Sequence, residues 1–182
     1  MNIGIIGAGK VGATLARLWS AQGYRISAVY SRTRAHAETL ATQVGSVWAK
    51  SGAEVVRHCD LTLLTVSDDA IRSVADSIVD VNGERKAAIH VSGALDMTVL
   101  ESLAKRGFMV GSLHPAFPFA DVETTMRKLP GATFAVEASD AVLRDWLGEL
   151  VESIDGRIID VPPGSKGIYH AALVMASTNT VT

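Results

Sequence analysis

The chain has 182 residues, enough for one domain of ordinary size, or for one domain and the start of a second. With 48% hydrophobic residues and a net charge of −2, it lacks the basic excess that nucleic-acid binding requires, so we expect no nucleic-acid partner. No apolar run approaches the roughly 20 residues of a membrane span, and Met1 does not open a signal peptide, so we expect a cytoplasmic protein without a membrane partner.

Eight short apolar runs alternate with helical patterns along the chain. The runs are residues 2–7, 25–31, 46–49, 61–66, 87–93, 108–114, 132–137 and 157–161. Strands that alternate with helices form a parallel sheet, and runs that are apolar almost throughout indicate strands covered on both faces. The sequence therefore predicts a doubly wound α/β fold around a central, mostly parallel sheet.

Two further segments complete the predicted organisation. Residues 115–131 have two early prolines and a closing Pro-Gly, which predicts a long, partly helical loop. After Pro162 and Pro163 the chain reads as an apolar helix without a C-terminal cap. Such a helix needs a surface to pack against, so we expect either that the natural chain continues or that a partner subunit covers it.

The first turn of the chain is rich in glycine. Gly7, Gly9 and Gly12 form G-x-G-x-x-G between a predicted strand and a predicted helix. In this context the first glycine makes the tight turn, the second lets the backbone approach a pyrophosphate, and the third lets the helix lie close to the strand. The pattern predicts a Rossmann-type dinucleotide site on the helix N-terminus. Its residues are Gly7, Ala8, Gly9, Lys10, Val11 and Gly12.

The residues after the second strand indicate which nucleotide binds. NAD sites place an acidic residue here to accept hydrogen bonds from the ribose 2′-hydroxyl, and this sequence has none. Ser31, Arg32 and Thr33 instead supply the donors that a 2′-phosphate requires, as does Arg34 unless it points to water. We therefore predict that NADP is favoured over NAD, the alternative being that these arginines are a solvated helix start.

Polar residues also follow the fourth, fifth and sixth strands. Val66 and Ser67 are expected to flank the dinucleotide, although Ser67 also suits a simple helix cap. Ser92 and Gly93 are expected to border the nicotinamide, and His114 to bind or protonate a substrate.

The start of the last helix adds two candidate catalytic residues. Lys166 and His170 are four residues apart and share a helical face, which suits the protonation of a carbonyl or imine as hydride arrives, or an ordinary solvated helix start. Asn179 could extend that face. Histidine and cysteine patterns typical of metal sites do not occur, so we expect no bound metal.

Two remaining candidates are better explained by packing. Cys59, the single cysteine, precedes an apolar run and is expected to be a packed small hydrophobe. His90 is expected to be a buried strand histidine.

Several segments together resemble a known family. They are "IGIIGAGKVGATLA", "VYSRT", "LLTVSDDAI", "HVSGAL", "LHPAFPF" and "PPGSKGIYHAA". They are similar to the Rossmann-like family that carries a domain of unknown function, DUF2520. More distantly, they resemble pyrroline-5-carboxylate reductases, ketopantoate reductases, F420-dependent NADP reductases and β-hydroxyacid dehydrogenases.

This resemblance implies a domain organisation. In those relatives a helical domain follows the Rossmann domain, forms the dimer and closes over the nicotinamide. It implies a dinucleotide-binding domain at residues 1–162, and at 163–182 the first helix of a truncated dimerisation and substrate domain. Lys166 matches the catalytic lysine of β-hydroxyacid dehydrogenases, but His170 stands where their asparagine is expected.

Two functions are consistent with these features. The first is an NADP-dependent oxidoreductase that transfers a hydride between the nicotinamide and a small carbonyl or imine substrate. The second is a dinucleotide-binding redox sensor or regulatory module without turnover.

Overall fold

A computed structural model of the chain describes residues 1–162 and 164–178. The eight predicted strands are confirmed, each within a few residues of the expected bounds. They are β1 (Asn2–Ile6), β2 (Arg25–Tyr30), β3 (Val47–Trp48), β4 (Leu61–Leu64), β5 (Ala87–His90), β6 (Met109–Pro115), β7 (Thr133–Ala138) and β8 (Arg157–Asp160).

The helices connect these strands and cover the sheet. They are α1 (Lys10–Ala21), α2 (Arg34–Gln43), α3 (Gly52–Arg57), α4 (Asp68–Asp76), α5 (Glu101–Ala104), α6 (Val122–Lys128), α7 (Ala141–Glu152) and α8 (Lys166–Thr178). A 3₁₀ turn at Met97–Leu100 precedes α5. The predicted partly helical loop at 115–131 therefore contains α6.

The strands form one sheet in the order β3-β2-β1-β4-β5-β6-β7-β8. Neighbouring strands are parallel except β6 and β7, which are antiparallel. The order reverses direction at β1, so β1 and β4 lie at the point where ligands bind in open α/β sheets. The predicted doubly wound Rossmann-type fold is confirmed.

Two apolar cores lie on the two faces of this sheet. Leu15 of α1 and Leu147 of α7 pack on one face with Ile5 and Leu63. The other core contains residues of α3, α4 and α5 together with Ile6 and Leu64. Adjacent strand residues thus enter opposite cores, which explains why the central strands are apolar throughout.

Specific contacts hold α1 to its neighbouring helices. The buried Trp19 indole Nε1 donates a hydrogen bond of 3.0 Å to the carbonyl oxygen of Leu150, near the end of α7. Arg17 forms an ion pair with Glu123 of α6. The helix that begins at the glycine turn is therefore fixed at several points along its length.

Two smaller findings concern Cys59 and the length of the helices. Burial raises the pKa of the Cys59 thiol to about 11, so this cysteine is a packed side chain and not a reactive thiolate. Within the part of the chain that the structure describes, no helix has both the length and the apolar character needed to cross a membrane.

Candidate functional site

The glycine turn follows β1, and the fold itself requires two of its three glycines. Gly7 has a φ of +113°, and a Cβ there would lie 2.6 Å from the carbonyl oxygen of Thr65. A Cβ on Gly12 would lie 2.1 Å from the carbonyl oxygen of Gly7. Both distances are far below a van der Waals contact, so packing alone accounts for these two glycines.

Gly9 is different, because the fold does not require a glycine there. Its φ is −79°, which any residue adopts, and a Cβ would meet no protein atom within 4 Å. Ala8 and Val11 pack into the core beside it, whereas Lys10 is exposed. The missing side chain at Gly9 therefore keeps space clear at the N-terminus of α1.

Thr65 holds the glycine turn in shape, and the sequence did not indicate this role. Its buried hydroxyl donates to the carbonyl oxygen of Gly7 at 2.6 Å. The same hydroxyl lies 2.5 Å from the place where a Gly12 Cβ would be. Thr65 therefore joins the end of β4 to the turn between β1 and α1.

Three helices begin at this edge of the sheet without a side-chain cap. Gly9, Thr33 and Ser67 are the N-cap residues of α1, α2 and α4, and none of their side chains caps the first turn. Elsewhere, Asp121 and Asp140 do accept a first-turn amide, as does Ser51. Ser67 therefore occupies the predicted N-cap position, but its side chain does not accept a first-turn amide hydrogen. The first turns of α1 and α2 contain no acidic residue, so their amide groups and positive dipole ends favour an anion at this edge, whereas α4 has Asp68 and Asp69 in its first turn.

The two arginines of the predicted phosphate site, which follow β2, differ in their contacts. The Arg34 guanidinium lies 4.2 Å from the centre of the Trp48 ring, and its Nε is 2.7 Å from a Glu38 carboxylate oxygen. Arg32 is exposed, and no ion pair or hydrogen bond to it occurs among the residues that the structure describes. Arg34 is thus exposed to solvent but already has two protein partners, Trp48 and Glu38.

Ser31, Thr33 and Val66 line the same edge as Arg32. Ser31 is half-buried and Thr33 is exposed at the start of α2. Val66 is half-buried against the core beneath α3 and α4. These residues lie where the sequence places them, around the ends of β2 and β4.

Ser92 is the centre of a hydrogen-bond network at the end of β5. Its buried hydroxyl donates to an Asp68 carboxylate oxygen at 2.8 Å and accepts the amide hydrogens of Ala94 and Leu95. Its carbonyl oxygen accepts a hydrogen bond of 3.2 Å from Lys166 Nζ. One residue thereby connects α4, the loop after β5 and α8.

The His114 ring packs against Gly93, which leaves no room for a side chain at position 93. A Cβ on Gly93 would lie 2.7 Å from the His114 Nε2 atom. His114 Nδ1 is 3.0 Å from the Tyr169 hydroxyl, and the two rings meet edge to face. Burial, and then the positive charge of Lys166, lowers the pKa of His114 to about 4, so the imidazole is neutral at pH 7.

Tyr169 is a site residue that the sequence did not single out. Burial raises the pKa of its phenol, so the hydroxyl keeps its proton at neutral pH. It lies on α8 three residues after Lys166, and the Lys166 Nζ is 5.8 Å from its ring centre.

Lys166 is almost fully buried, with 1% of its surface exposed. Burial lowers the pKa of its amine, and the negative charges of Glu137, Asp68 and Asp96 oppose that shift. His170 lies near His114, and its ring nitrogen Nδ1 is buried without a hydrogen-bond partner in the described part of the chain. The structure thus brings Lys166, His114 and Ser92 into one cluster, with His170 at its side; Asn179 lies outside the described residues.

A row of three buried polar residues crosses the sheet beneath this cluster. His90, Ser112 and Glu137 occupy paired positions on β5, β6 and β7, so their side chains share one face. Burial lowers the pKa of His90 to about 4, and its neutral ring accepts from the Ser92 amide and donates to the Asp96 carbonyl. His90 is therefore the buried strand histidine that the sequence predicts. Ser112 and Glu137 were not expected, because register across an antiparallel pair cannot be read from apolar runs.

A groove of about 440 Å³ opens beside the glycine turn. It runs between α1, α2 and α6, and Gly9, Lys10 and His36 contribute to its walls. The groove adjoins the uncapped start of α1 and does not reach the cluster around Ser92. The start of α1 at the glycine turn is consequently accessible from the side of α1 and α2.

Comparison with known proteins agrees with this geometry. Residues 2–94, just over half of the chain, match the family described as NADP oxidoreductase, coenzyme F420-dependent. Residues 132–182 match the domain of unknown function DUF2520. No curated protein matches the sequence.

Solved structures share the fold over almost the whole chain. A candidate NADP oxidoreductase from Bacteroides fragilis has 26% identity and a TM-score of 0.82, with 99% of this chain and 65% of that one covered. This chain therefore spans about two thirds of the length of that protein.

Two more distant structures show the fold alone. A pyrroline carboxylate reductase from Plasmodium falciparum with NADP bound has 18% identity and a TM-score of 0.74, covering 98% of this chain and 64% of that one. An imine reductase from Bacillus cereus has 18% identity and a TM-score of 0.75, covering 97% and 60%. The family match over residues 2–94 includes the glycine turn between β1 and α1. The chain belongs to the family described as NADP oxidoreductase, coenzyme F420-dependent.

Proposed function

We propose that this protein is an NADP-dependent oxidoreductase that transfers a hydride between a nicotinamide and a small carbonyl or imine substrate. The observation that carries the proposal is Gly9, a glycine that the fold does not need, at an uncapped helix N-terminus. A pyrophosphate resting against bare backbone amides accounts for both features. Membership of an NADP oxidoreductase family supports the same conclusion.

The residues around the turn fit NADP over its full length. Gly7, Ala8, Gly9, Lys10, Val11 and Gly12 seat the pyrophosphate. Arg32, with Ser31 and Thr33, binds the 2′-phosphate through charge-assisted hydrogen bonds, since Arg34 already has Trp48 and Glu38 as partners. Val66 and Ser67 flank the dinucleotide, and Ser92 and Gly93 border the nicotinamide.

The cluster at the end of β5 supplies the groups for proton transfer. When bound, the nicotinamide supplies or accepts the hydride. Lys166 is held by the Ser92 carbonyl at the buried side of the cluster, where an ammonium group polarises or protonates a carbonyl or imine. His114 is neutral and orients the Tyr169 hydroxyl, and His170 completes the substrate side.

The preference for NADP is tested with two arginine variants. Arg32→Ala should weaken NADPH binding by roughly ten- to a hundred-fold, because one charge-assisted partner is worth about 1.5–3 kcal/mol. The same variant should change NADH binding little, since NADH lacks the 2′-phosphate. Isothermal titration of both nucleotides measures this. Arg34→Ala is the matched control and should change both affinities by a smaller factor. Equal weakening of NADPH and NADH by Arg32→Ala would contradict the phosphate role.

Turnover separates an enzyme from a binding module. Oxidation of NADPH at 340 nm is followed with a panel of keto acids, cyclic imines and flavin-like acceptors. We expect consumption with a carbonyl or imine compound, and strong loss in Lys166→Met. Tight NADPH binding by the full-length protein, without oxidation by any acceptor, would instead identify a redox sensor or regulatory module.

Three further assignments belong to this proposal. We place the protein in the cytoplasm, where NADPH is available and Cys59 stays reduced. Residues 1–162 form the dinucleotide-binding domain, and 163–182 begin a helical dimerisation and substrate domain. Ile168, on α8, is 78% exposed, which suits a helix covered by a partner subunit in a homodimer. Sedimentation equilibrium measures that assembly.

A further inference from the structure

Glu137 is a buried carboxylate, and one of its two oxygens accepts a hydrogen bond. Only 4% of the residue is exposed, and its Oε2 accepts a hydrogen bond of 2.8 Å from the Ser112 hydroxyl. Its Oε1 is buried and has no hydrogen-bond partner among the described residues. Burying a carboxylate in this state is costly unless a positive charge lies nearby.

Lys166 is the complementary group in the same interior. Its Nζ carries three hydrogens, and the Ser92 carbonyl is its one acceptor in the described part of the chain. No carboxylate forms an ion pair with Lys166 in the described part of the chain, and among the carboxylates the charge of Glu137 does most to oppose the fall in the pKa of Lys166. The row His90, Ser112, Glu137 places this carboxylate at the same level of the sheet as the end of β5.

The other groups around Lys166 are less suited to this role. Asp68 is exposed and already accepts the Ser92 hydroxyl. Asp96 is half-buried and binds the amide and hydroxyl of Thr98. The remaining titratable neighbours are His90 of β5, His114 of β6, and Tyr169 and His170 of α8. His90, His114 and Tyr169 are neutral near pH 7, and an imidazole such as that of His170 carries no negative charge, so Glu137 is the buried countercharge.

We propose that Glu137, anchored by Ser112, is a positioning residue whose negative charge keeps Lys166 in the ammonium form. The role of Lys166 toward substrate rests on the proposed function, whereas its charge state does not. Glu137 thus acts through Lys166 and touches neither cofactor nor substrate.

The test measures the charge state of Lys166 directly, without cofactor or substrate. Protein labelled with ¹³C and ¹⁵N in lysine is titrated by NMR, and the Lys166 signal is assigned by its loss in Lys166→Met. In Glu137→Gln the pKa of Lys166 should fall by about one unit or more, because a nearby negative charge is removed. In Glu137→Asp, which keeps the negative charge, the pKa of Lys166 should stay close to its wild-type value.

Two further variants complete the experiment. Glu149→Gln, on exposed α7 surface, is the matched control and should leave the Lys166 titration unchanged. Ser112→Ala removes the hydrogen bond that stabilises the ionised Glu137 carboxylate, so it weakens the negative charge near Lys166 and should lower the pKa of Lys166 by a smaller amount. If Glu137→Gln does not fold, as shown by circular dichroism, the Ser112→Ala titration decides.

Two results would overturn the proposal. They are a Lys166 pKa in Glu137→Gln within about 0.3 units of wild type, and, where that variant fails to fold, an unchanged pKa in Ser112→Ala. If the wild-type protein neither binds NADPH nor turns it over, the proposed function is contradicted, but this titration can still be interpreted. Where turnover is present, the limb of the kcat profile that reports Lys166 should move with its pKa, while KM for NADPH stays constant.

Discussion

Two glycines of the first turn differ in what a side chain would meet. A Cβ on Gly12 would collide with the backbone of Gly7, whereas a Cβ on Gly9 would face open space. Gly12 is thus required for folding, whereas the fold does not require a glycine at position 9. This contrast lets stability and binding be separated within four residues.

Replacing each glycine by alanine should give opposite results. Gly12→Ala should lower the free energy of unfolding by about 2 kcal/mol or more, because the overlap cannot be relieved by a flexible side chain. Gly9→Ala should change stability by less than about 1 kcal/mol, since its φ is ordinary, yet weaken NADPH at least about tenfold. Urea unfolding and titration calorimetry measure the two effects. Wild-type NADPH affinity in Gly9→Ala would exclude a pyrophosphate at this turn.

Single residues also show how far the sequence alone reaches. The positions of Gly9, Ser92 and Lys166 follow from strand ends and helix spacing, which are local patterns. Thr65 and Glu137 lacked such a signal, because their roles depend on neighbours 58 and 25 residues away in the chain. Their importance becomes visible only once strand register is known.

At the scale of the element, α1 is fixed by its contact with α7. Trp19→Phe removes the indole donor and leaves the Leu150 carbonyl with one hydrogen bond, from the Ser153 hydroxyl. We expect a loss of about 0.5–1.5 kcal/mol in the free energy of unfolding, measured by urea titration. Trp146→Phe, a half-buried tryptophan on α7, is the matched control and should cost less. Equal losses in the two variants would mean that ring volume, not the hydrogen bond, matters.

The antiparallel strand β7 is the element that the sequence predicted least well. Its apolar run was recognised, but direction depends on the path of the chain through the loop that contains α6. Reversal of β7 brings Glu137 opposite Ser112 and so builds the polar row under Lys166. Two parallel strands in one sheet are joined by a right-handed crossover, which makes their arrangement predictable. β6 and β7 are antiparallel, so this rule does not apply to their connection.

For the whole molecule, two neutral histidines couple stability to pH. Burial holds the pKa values of His90 and His114 at about 4, whereas an unfolded histidine titrates near about 6.5. Below that pH the unfolded chain binds protons that the folded chain does not, so acid favours unfolding. The folded state therefore loses stability as the pH falls from about 6.5 to about 4.

The expected slope follows from the number of histidines. The free energy of unfolding should fall by up to about 1.4 kcal/mol per pH unit for each histidine in this window. Urea titrations between pH 7 and pH 4 measure it. His114→Asn should remove its own share of the slope, and an unchanged slope in this variant would contradict a neutral His114 in the folded state.

At the same scale, the alternation of apolar strands and helices was sufficient to predict the architecture. Central strands such as β1 and β4 are apolar on both faces, so their composition predicts burial between two helical layers. The packing of α8 was not, because contacts of Lys166 and Tyr169 with β5 and β6 join distant segments.

The bare starts of α1, α2 and α4 have a consequence for the free protein. Each helix forgoes the stabilisation that Asp121 or Asp140 gives to α6 and α7. Under the proposed assignment, the phosphates of a single nucleotide bind the N-termini of both α1 and α2, so the bound nucleotide stabilises the folded protein. Tolerance of heat and of proteases then rises and falls with the nucleotide supply of the cell.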